Sequence, residues 1–184
     1  MEITRETVRL ALYIFGPLIL ASYVFGIYRM DDPNQLWGGI PESWRPLNVA
    51  CMFVSAAGFF IMFWFFLYRW DSSVVESIQW PWVEGNSGGH TRLLISFMLV
   101  TIPSMLWLEL TAYHISSGTT FSQWLVIGNL WLVCLGNILL GLLAFNAHQQ
   151  EIASDTIWPL IGALMLSFQV IGNDGIIWVI KYPW

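Results

Sequence analysis

The chain has 184 residues, of which 57% are hydrophobic and only 10% are charged, and its mean hydropathy is +0.62. This composition lies outside soluble usage and predicts one integral membrane domain over residues 1–184, without room for a separate soluble domain. The net charge of −5 comes from scattered residues, and the seven Lys and Arg residues form no basic patch, which excludes nucleic acid as a partner.

The apolar pattern predicts an all-α bundle of about five transmembrane helices. A hydrocarbon core of roughly 30 Å requires about 20 apolar residues per helix. The predicted segments, numbered one to five in chain order, cover residues 7–28, 47–68, 92–115, 122–146 and 157–180. The first segment follows Arg5 and Arg9, as in a signal peptide, but no small-residue cleavage motif follows it. We therefore interpret it as a retained helix.

An odd number of spans places the two termini on opposite faces of the bilayer. We name the N-terminal face side A and the other face side B. Side A carries four basic residues and side B carries three: Arg5, Arg9, Arg69 and Arg92, against Arg29, Arg45 and Lys181. This small excess favours a cytoplasmic N-terminus by the positive-inside rule, and the lipid bilayer is the first predicted partner.

Both long loops are predicted to be structured. Loop 29–46, "RMDDPNQLWGGIPESWRP", mixes Pro, Gly and Trp and predicts a cap that lies on the membrane at side B. Loop 69–91 contains "SSVVES", which predicts a short interfacial helix, before a glycine-rich exit. Most of the twelve tryptophans fall at the predicted interfaces, where an amphipathic ring is favoured, and we interpret them as anchors.

Polar side chains inside the apolar segments are the candidate functional residues. A charged side chain there costs about 2.5–3.5 kcal/mol on insertion scales and usually faces the bundle interior. Counting from segment midpoints at 1.5 Å per residue places Glu109, Asn129, Asn173 and Asp174 roughly 8 Å towards side B. Asn137 follows Asn129 by eight residues and shares roughly its helical face, where packing between helices is the main alternative role. These five residues form the predicted ligand-binding site.

Gly172-Asn173-Asp174-Gly175 is typical of a tight turn, although it lies between two apolar runs. A break inside a bilayer is tolerated only where the freed backbone groups meet polar groups or water. We therefore predict that the fifth segment is broken at Gly172–Gly175. The alternative is that the helix ends near Gly172 and the remaining residues lie along the side B surface. Pro103 is expected to kink the third segment.

The residues that carry cofactor or catalytic chemistry are few. His114 lies at the side B end of segment three, whereas His90 and His148 lie on side A, so a haem with two histidine ligands is disfavoured. His114 remains the candidate for a single cofactor ligand, and the cofactor itself is unknown. Cys51 and Cys134 are expected to be ordinary buried thiols. No nucleophile elbow is found, and no set of Ser, His and Asp can be placed at one depth.

Three functional hypotheses remain open. The first is a bundle that binds or moves a small solute, ion or lipophilic ligand at the polar layer. The second is a non-catalytic accessory subunit of a larger membrane complex, and the third is an intramembrane enzyme with Glu109 as its acid or base. The absence of a reaction motif favours a protein that is not an enzyme. The first hypothesis predicts a buried Glu109 with a partner from segment four or five, whereas an outward-facing Glu109 would favour the second.

Overall fold

The computed structural model describes residues 3–83, 85 and 87–184, which contain five helices long and apolar enough to cross a membrane. The helices are α1 (Arg5–Arg29), α2 (Arg45–Trp64, continued as a π-helix over Phe65–Arg69), α3 (Ser72–Ser77), α4 (Gly89–Ser117), α5 (Thr120–Gln149) and α6 (Ile157–Lys181). The five predicted segments correspond to α1, α2, α4, α5 and α6. Their predicted ends agree with the structure to about three residues, because the apolar runs are long and clearly bounded.

The long helices form a curled row in the order α1, α4, α5, α6, α2. The hairpin of α4 and α5 lies at the centre, and α5 is the most buried helix whereas α1 is the least. The two outer helices, α1 and α2, meet mainly where α1 contacts the π-helical end of α2 on side A. The bundle is therefore closed more tightly at side A than at side B.

The side A half holds the larger hydrophobic core, which includes Val8, Phe66, Phe97 and Leu143. Two arginines of α1 close this end by binding backbone carbonyls where α2 ends. Arg5 donates a hydrogen bond to the carbonyl of Trp70 at 2.6 Å, and Arg9 donates one to the carbonyl of Leu67 at 2.9 Å. The last carbonyls of a helix lack partners within the helix and carry partial negative charge, so cations stabilise them.

Small residues allow close helix crossings, as the sequence predicts. A Cβ atom added at Gly58 would lie 2.5 Å from the carbonyl oxygen of Gly162, so α2 and α6 touch backbone to backbone. A Cβ atom at Gly136 would lie 2.8 Å from the backbone of Leu99, where α5 crosses α4. The absence of a side chain at these glycines therefore lets the helices pack closely.

The side B cap is confirmed as a structured segment. It contains two 3₁₀ turns, Pro33–Trp37 and Glu42–Trp44, and it docks against the end of α6. The indole of Trp178 donates a hydrogen bond to the carbonyl of Leu36 at 2.8 Å. Gly39 lies against the backbone carbonyl of Lys181, with no space for a side chain between them.

The side A loop forms the predicted short helix, α3. Arg92 of α4 donates a hydrogen bond to the carbonyl of Ile78 at 2.8 Å, and Asn146 of α5 donates one to the carbonyl of Gln79 at 2.8 Å. These bonds fix the end of α3 on the bundle. The predicted glycine-rich exit includes positions 84 and 86, which lie outside the described residues.

The predicted break at Gly172–Gly175 is wrong, and so is the alternative end near Gly172. The helix continues to Lys181 and widens into a π-helix over Phe168–Trp178. A π-helix pairs each backbone N–H with the carbonyl five residues earlier, so the backbone groups stay satisfied without a turn. The third segment stays helical through Pro103, and the kink expected there remains a prediction.

Candidate functional site

The π-helix of α6 brings three polar side chains together. Gln169 donates a hydrogen bond from Nε2 to Oδ1 of Asp174 at 2.8 Å and accepts one at Oε1 from Nδ2 of Asn173 at 2.9 Å. Because a π-helix closes over five residues, positions four and five residues after Gln169 both lie next to it. One glutamine therefore holds the amide and the carboxylate side by side.

A residue of α2 completes this group. Nε2 of Gln169 also lies 3.2 Å from Oδ1 of Asn48, its second acceptor. Gln169 is buried, whereas the other three side chains are partly exposed. We name Asn48, Gln169, Asn173 and Asp174 the intramembrane polar cluster. The cluster lies where α2 contacts the π-helix of α6.

The carboxylate of Asp174 accepts one hydrogen bond, from the amide of Gln169, and has no ion pair with a basic residue in the described part of the chain. The helix around it is apolar enough to span a membrane. A carboxylate in such surroundings is stabilised by a proton, a cation or water. Asp174 is therefore the acidic group of the cluster, and no basic side chain of the described residues neutralises it.

Asn137 follows Asn129 by about two turns of α5 in the direction of side A, and its side chain is fully buried. Its Nδ2 donates a hydrogen bond to Oγ of Ser167 at 2.7 Å, and Ser167 in turn donates to the carbonyl of Ala163 at 2.8 Å. Its Oδ1 has no hydrogen-bond partner among the described residues. A buried amide oxygen without a partner marks a place where a water molecule or a cation is stabilised.

Asn129 does not join the cluster. Its side chain is buried between α5 and α4, where Nδ2 donates a hydrogen bond to the carbonyl of Pro103 at 2.9 Å. Asn129 and Asn137 thus bond to different neighbouring helices, which supports the packing role for the repeated Gly-Asn pairs.

The expectation of a buried Glu109 with a partner from α5 or α6 is wrong. The Glu109 side chain is 45% exposed on the outer face of α4, and Nη1 of Arg29 lies 3.7 Å from its Oε2. Arg29 is the last residue of α1, whereas α4 continues to Ser117. Depth counted from the midpoint of α4 was misleading, because this helix projects beyond the end of its neighbour.

His114 lies among protein side chains at the side B end. Its Nδ1 is 2.8 Å from Oγ of Ser122, and its ring centre is 5.9 Å from that of Tyr182 and 5.3 Å from that of Trp184. The histidine joins the α4–α5 turn to the C-terminal tail. Its proposed role as a cofactor ligand remains a prediction.

Sequence reasoning missed Gln169 and Asn48. Gln169 lies five residues before Asp174, and in an α-helix this spacing separates two side chains by about 140°. Only the π-helix places them on one face. Asn48 falls at the first turn of the second predicted segment, where a polar residue is normally assigned to the interface. A polar amide within the apolar run "MLSFQVIG" was the available signal for Gln169.

No family model, curated protein or solved structure matches this chain. Fold and cluster together define the class of protein. It is an all-helical bundle with five helices compatible with a multi-pass membrane protein, and with a polar cluster inside its fifth long helix.

Proposed function

We propose that this protein binds a small cation, or a solute that carries a cationic group, at the intramembrane polar cluster. The observation that carries the proposal is the carboxylate of Asp174, held by Gln169 within an apolar helix and without a basic partner in the described residues. A cation bound there is attracted more strongly than in water, because the effective dielectric constant is lower.

The available donor atoms favour a hard cation. Asp174 supplies carboxylate oxygens, and Asn48 of α2 supplies an amide oxygen that Gln169 holds in the same cluster. Oxygen donors of this kind suit alkali or alkaline-earth cations and ammonium groups, whereas soft metals prefer thiolates.

The packing of the helices supports access from side B. The side A half is filled by the large hydrophobic core, and α1 meets α2 at that end. The polar groups extend from Asp174 as far as Asn137 and Ser167, which lie in the middle of their helices. Polar groups that reach only the middle of the bundle fit binding better than they fit a channel open at both faces.

The test is thermal unfolding of the purified protein in detergent, followed by tryptophan fluorescence at constant ionic strength. Na⁺, K⁺ and tetramethylammonium are titrated separately. A ligand that binds only the folded state raises its stability by about 2.7 kcal/mol at a concentration 100 times Kd. We expect one of these cations to raise Tm in the wild-type protein and not in Asp174→Asn, whose amide oxygen can still accept the bond from Gln169.

Glu109→Gln is the matched control, because it removes a carboxylate that lies outside the cluster. It should retain the full cation-dependent rise in Tm. The proposal is wrong if none of the cations shifts Tm, or if Asp174→Asn responds as the wild-type protein does.

A second candidate function, that of an accessory subunit in a membrane complex, is supported by the outward position of Glu109. An exposed carboxylate with only a 3.7 Å ion pair to Arg29 is available to a neighbouring protein. Mass spectrometry of the natively purified protein distinguishes the two. A stoichiometric protein partner favours the subunit, whereas an isolated chain argues against it.

A further inference from the structure

Three side chains of the side A loop form a chain of hydrogen bonds that neither the polar cluster nor the proposed function uses. Oγ of Ser72 lies 3.3 Å from Nε2 of His90, and Nδ1 of the same ring lies 2.5 Å from Oε2 of Glu76. Ser72 and Glu76 are four residues apart on α3 and therefore share a face, and His90 is the second residue of α4. Hydroxyl, imidazole and carboxylate are in the order found in serine hydrolases.

We propose that Ser72, His90 and Glu76 form an acyl-transfer centre that cleaves ester-linked acyl chains of lipids at the side A surface. Ser72 is the nucleophile, His90 is the general base, and Glu76 is a positioning residue that orients the imidazole. This proposal is independent of cation binding, since the two sites lie at opposite ends of the bundle.

The carboxylate of Glu76 is fixed and charged. Besides the ring of His90, it accepts hydrogen bonds from the backbone N–H groups of Gly88 and His90. Burial opposes its ionisation, but these hydrogen bonds and the nearby imidazole outweigh that effect and lower the pKa of Glu76. An ionised carboxylate at Nδ1 selects the tautomer that carries its proton there, so Nε2 is left to accept the proton of Ser72.

The exposures of the three residues match their roles. Ser72 is exposed and can be reached by a substrate, His90 is only 5% exposed, and Glu76 is partly buried. A shielded base with an exposed nucleophile is the arrangement that acyl transfer requires, because the base is held in place while the substrate approaches the hydroxyl.

The bundle holds α3 rigidly in this position. Val75 is fully buried, and its carbonyl lies so close to Gly89 that a side chain there has no space. Arg92 binds the carbonyl of Ile78 at the other end of α3. Reactive groups on a fixed element keep their geometry, whereas groups on a mobile loop do not.

The location of the site indicates the substrate class. Ser72 follows Trp70 at the side A end of α2, and Trp82 of the same loop is 62% exposed and stacked on Trp80. Exposed tryptophans favour the headgroup level of a bilayer, and the ester bonds of lipids lie at the boundary between headgroups and acyl chains. An ester carbonyl of a membrane lipid can therefore reach the hydroxyl of Ser72.

The reaction proceeds in two balanced steps. First, Oγ of Ser72 attacks the ester carbonyl carbon while His90 takes the hydroxyl proton. The bond to the leaving oxygen then breaks, and His90 gives the proton to the departing alcohol. In the second step, water attacks the acyl-serine with His90 again as base, which releases the fatty acid and restores Ser72.

The sequence analysis sought Ser, His and Asp at one depth and did not consider a set in which Glu76 takes the place of the aspartate. Ser72 and His90 are 18 positions apart, and α3 had to fold back onto the first turn of α4 to bring them together. No local sequence motif predicts that α3 folds back onto α4.

The test is labelling of the full-length protein in detergent or nanodiscs with a fluorophosphonate probe, followed by peptide mass spectrometry. We expect the phosphonate adduct on Ser72. Ser72→Ala should abolish labelling, and His90→Gln should slow it by roughly 10³-fold, as expected for loss of the base. Ser73→Ala is the matched control, since its hydroxyl is exposed and adjacent and should be dispensable.

A second measurement distinguishes a positioning role of Glu76 from a structural one. With a p-nitrophenyl ester of a medium-chain fatty acid in mixed micelles, Glu76→Gln should lower kcat by at least tenfold and leave KM and Tm nearly unchanged. The proposal is overturned if folded wild-type protein is not labelled at Ser72, or if His90→Gln is labelled at the wild-type rate.

Discussion

At the scale of single residues, position relative to neighbouring helices decides what a polar side chain does. Glu109 and Asp174 are both carboxylates within long apolar helices, but Glu109 faces outwards to Arg29, whereas Asp174 is held by Gln169. An exposed ion pair contributes about 0–1 kcal/mol to stability. A carboxylate in an apolar helix without a basic partner is instead stabilised when it binds a cation. Asp174 is therefore the better candidate for ligand binding.

Glu76 supports a prediction about pH. The hydrogen bonds from Gly88 and His90 lower its pKa in the folded protein, against the effect of burial. A depressed carboxyl pKa stabilises the folded state above the pKa of the unfolded chain, and this contribution is lost as the pH falls through the folded-state pKa. Acidification through and below the ordinary carboxyl range should therefore loosen α3 from α4.

Hydrogen exchange of the Gly88 and His90 amides, corrected for intrinsic exchange rates, measures this loosening. Protection should fall on acidification in the wild-type protein. In Glu76→Gln it should be lower at neutral pH and nearly independent of pH. Equal pH dependence in both proteins would show that Glu76 does not hold the two helices together.

At the scale of elements, the crossing of α2 and α6 depends on two glycines. A Cβ atom at Gly58 would lie 2.5 Å from the carbonyl oxygen of Gly162 and 2.7 Å from Cβ of Met165. Because two of these contacts involve the backbone of α6 or the start of a side chain, the helices must separate. We expect Gly58→Ala to destabilise the protein by about 1–3 kcal/mol, as overpacking of a core does.

Gly16→Ala is the control for this prediction. Gly16 lies within α1 and has no atom within 4 Å of an added Cβ among the described residues. The same substitution should leave stability unchanged or raise it by up to about 1 kcal/mol through helix propensity. Thermal unfolding in detergent compares the two variants, and equal shifts in Tm would refute the close crossing.

At the scale of the whole molecule, we predict that the five long apolar helices each cross the membrane, which would place the two ends of the chain on opposite faces. The π-helix keeps α6 unbroken over its full length, and we expect Ser73 on side A and Asp31 on side B. In sealed vesicles, a membrane-impermeant maleimide should label Ser73→Cys and Asp31→Cys from opposite sides. Cys51→Ala and Cys134→Ala form the background, since both native thiols are buried.

Labelling of both positions from the same side would contradict the proposed topology. The side from which Ser73→Cys reacts in vesicles of known orientation also tests the cytoplasmic N-terminus. That orientation was predicted from four basic residues against three, and it depends on charge alone.

The sequence by itself determined the class of fold and the extents of the long helices, because hydrophobic length is a local property and the bilayer dimension is fixed. It also determined the presence of α3. Only the tertiary structure decided which polar residues meet. Glu109 faces away from the bundle interior, towards Arg29 at the end of α1. The π-helix brings Gln169 next to Asp174, and the fold of α3 back onto α4 places Ser72 beside His90. Such contacts depend on the relative shifts and winding of elements distant in sequence, which no local pattern specifies.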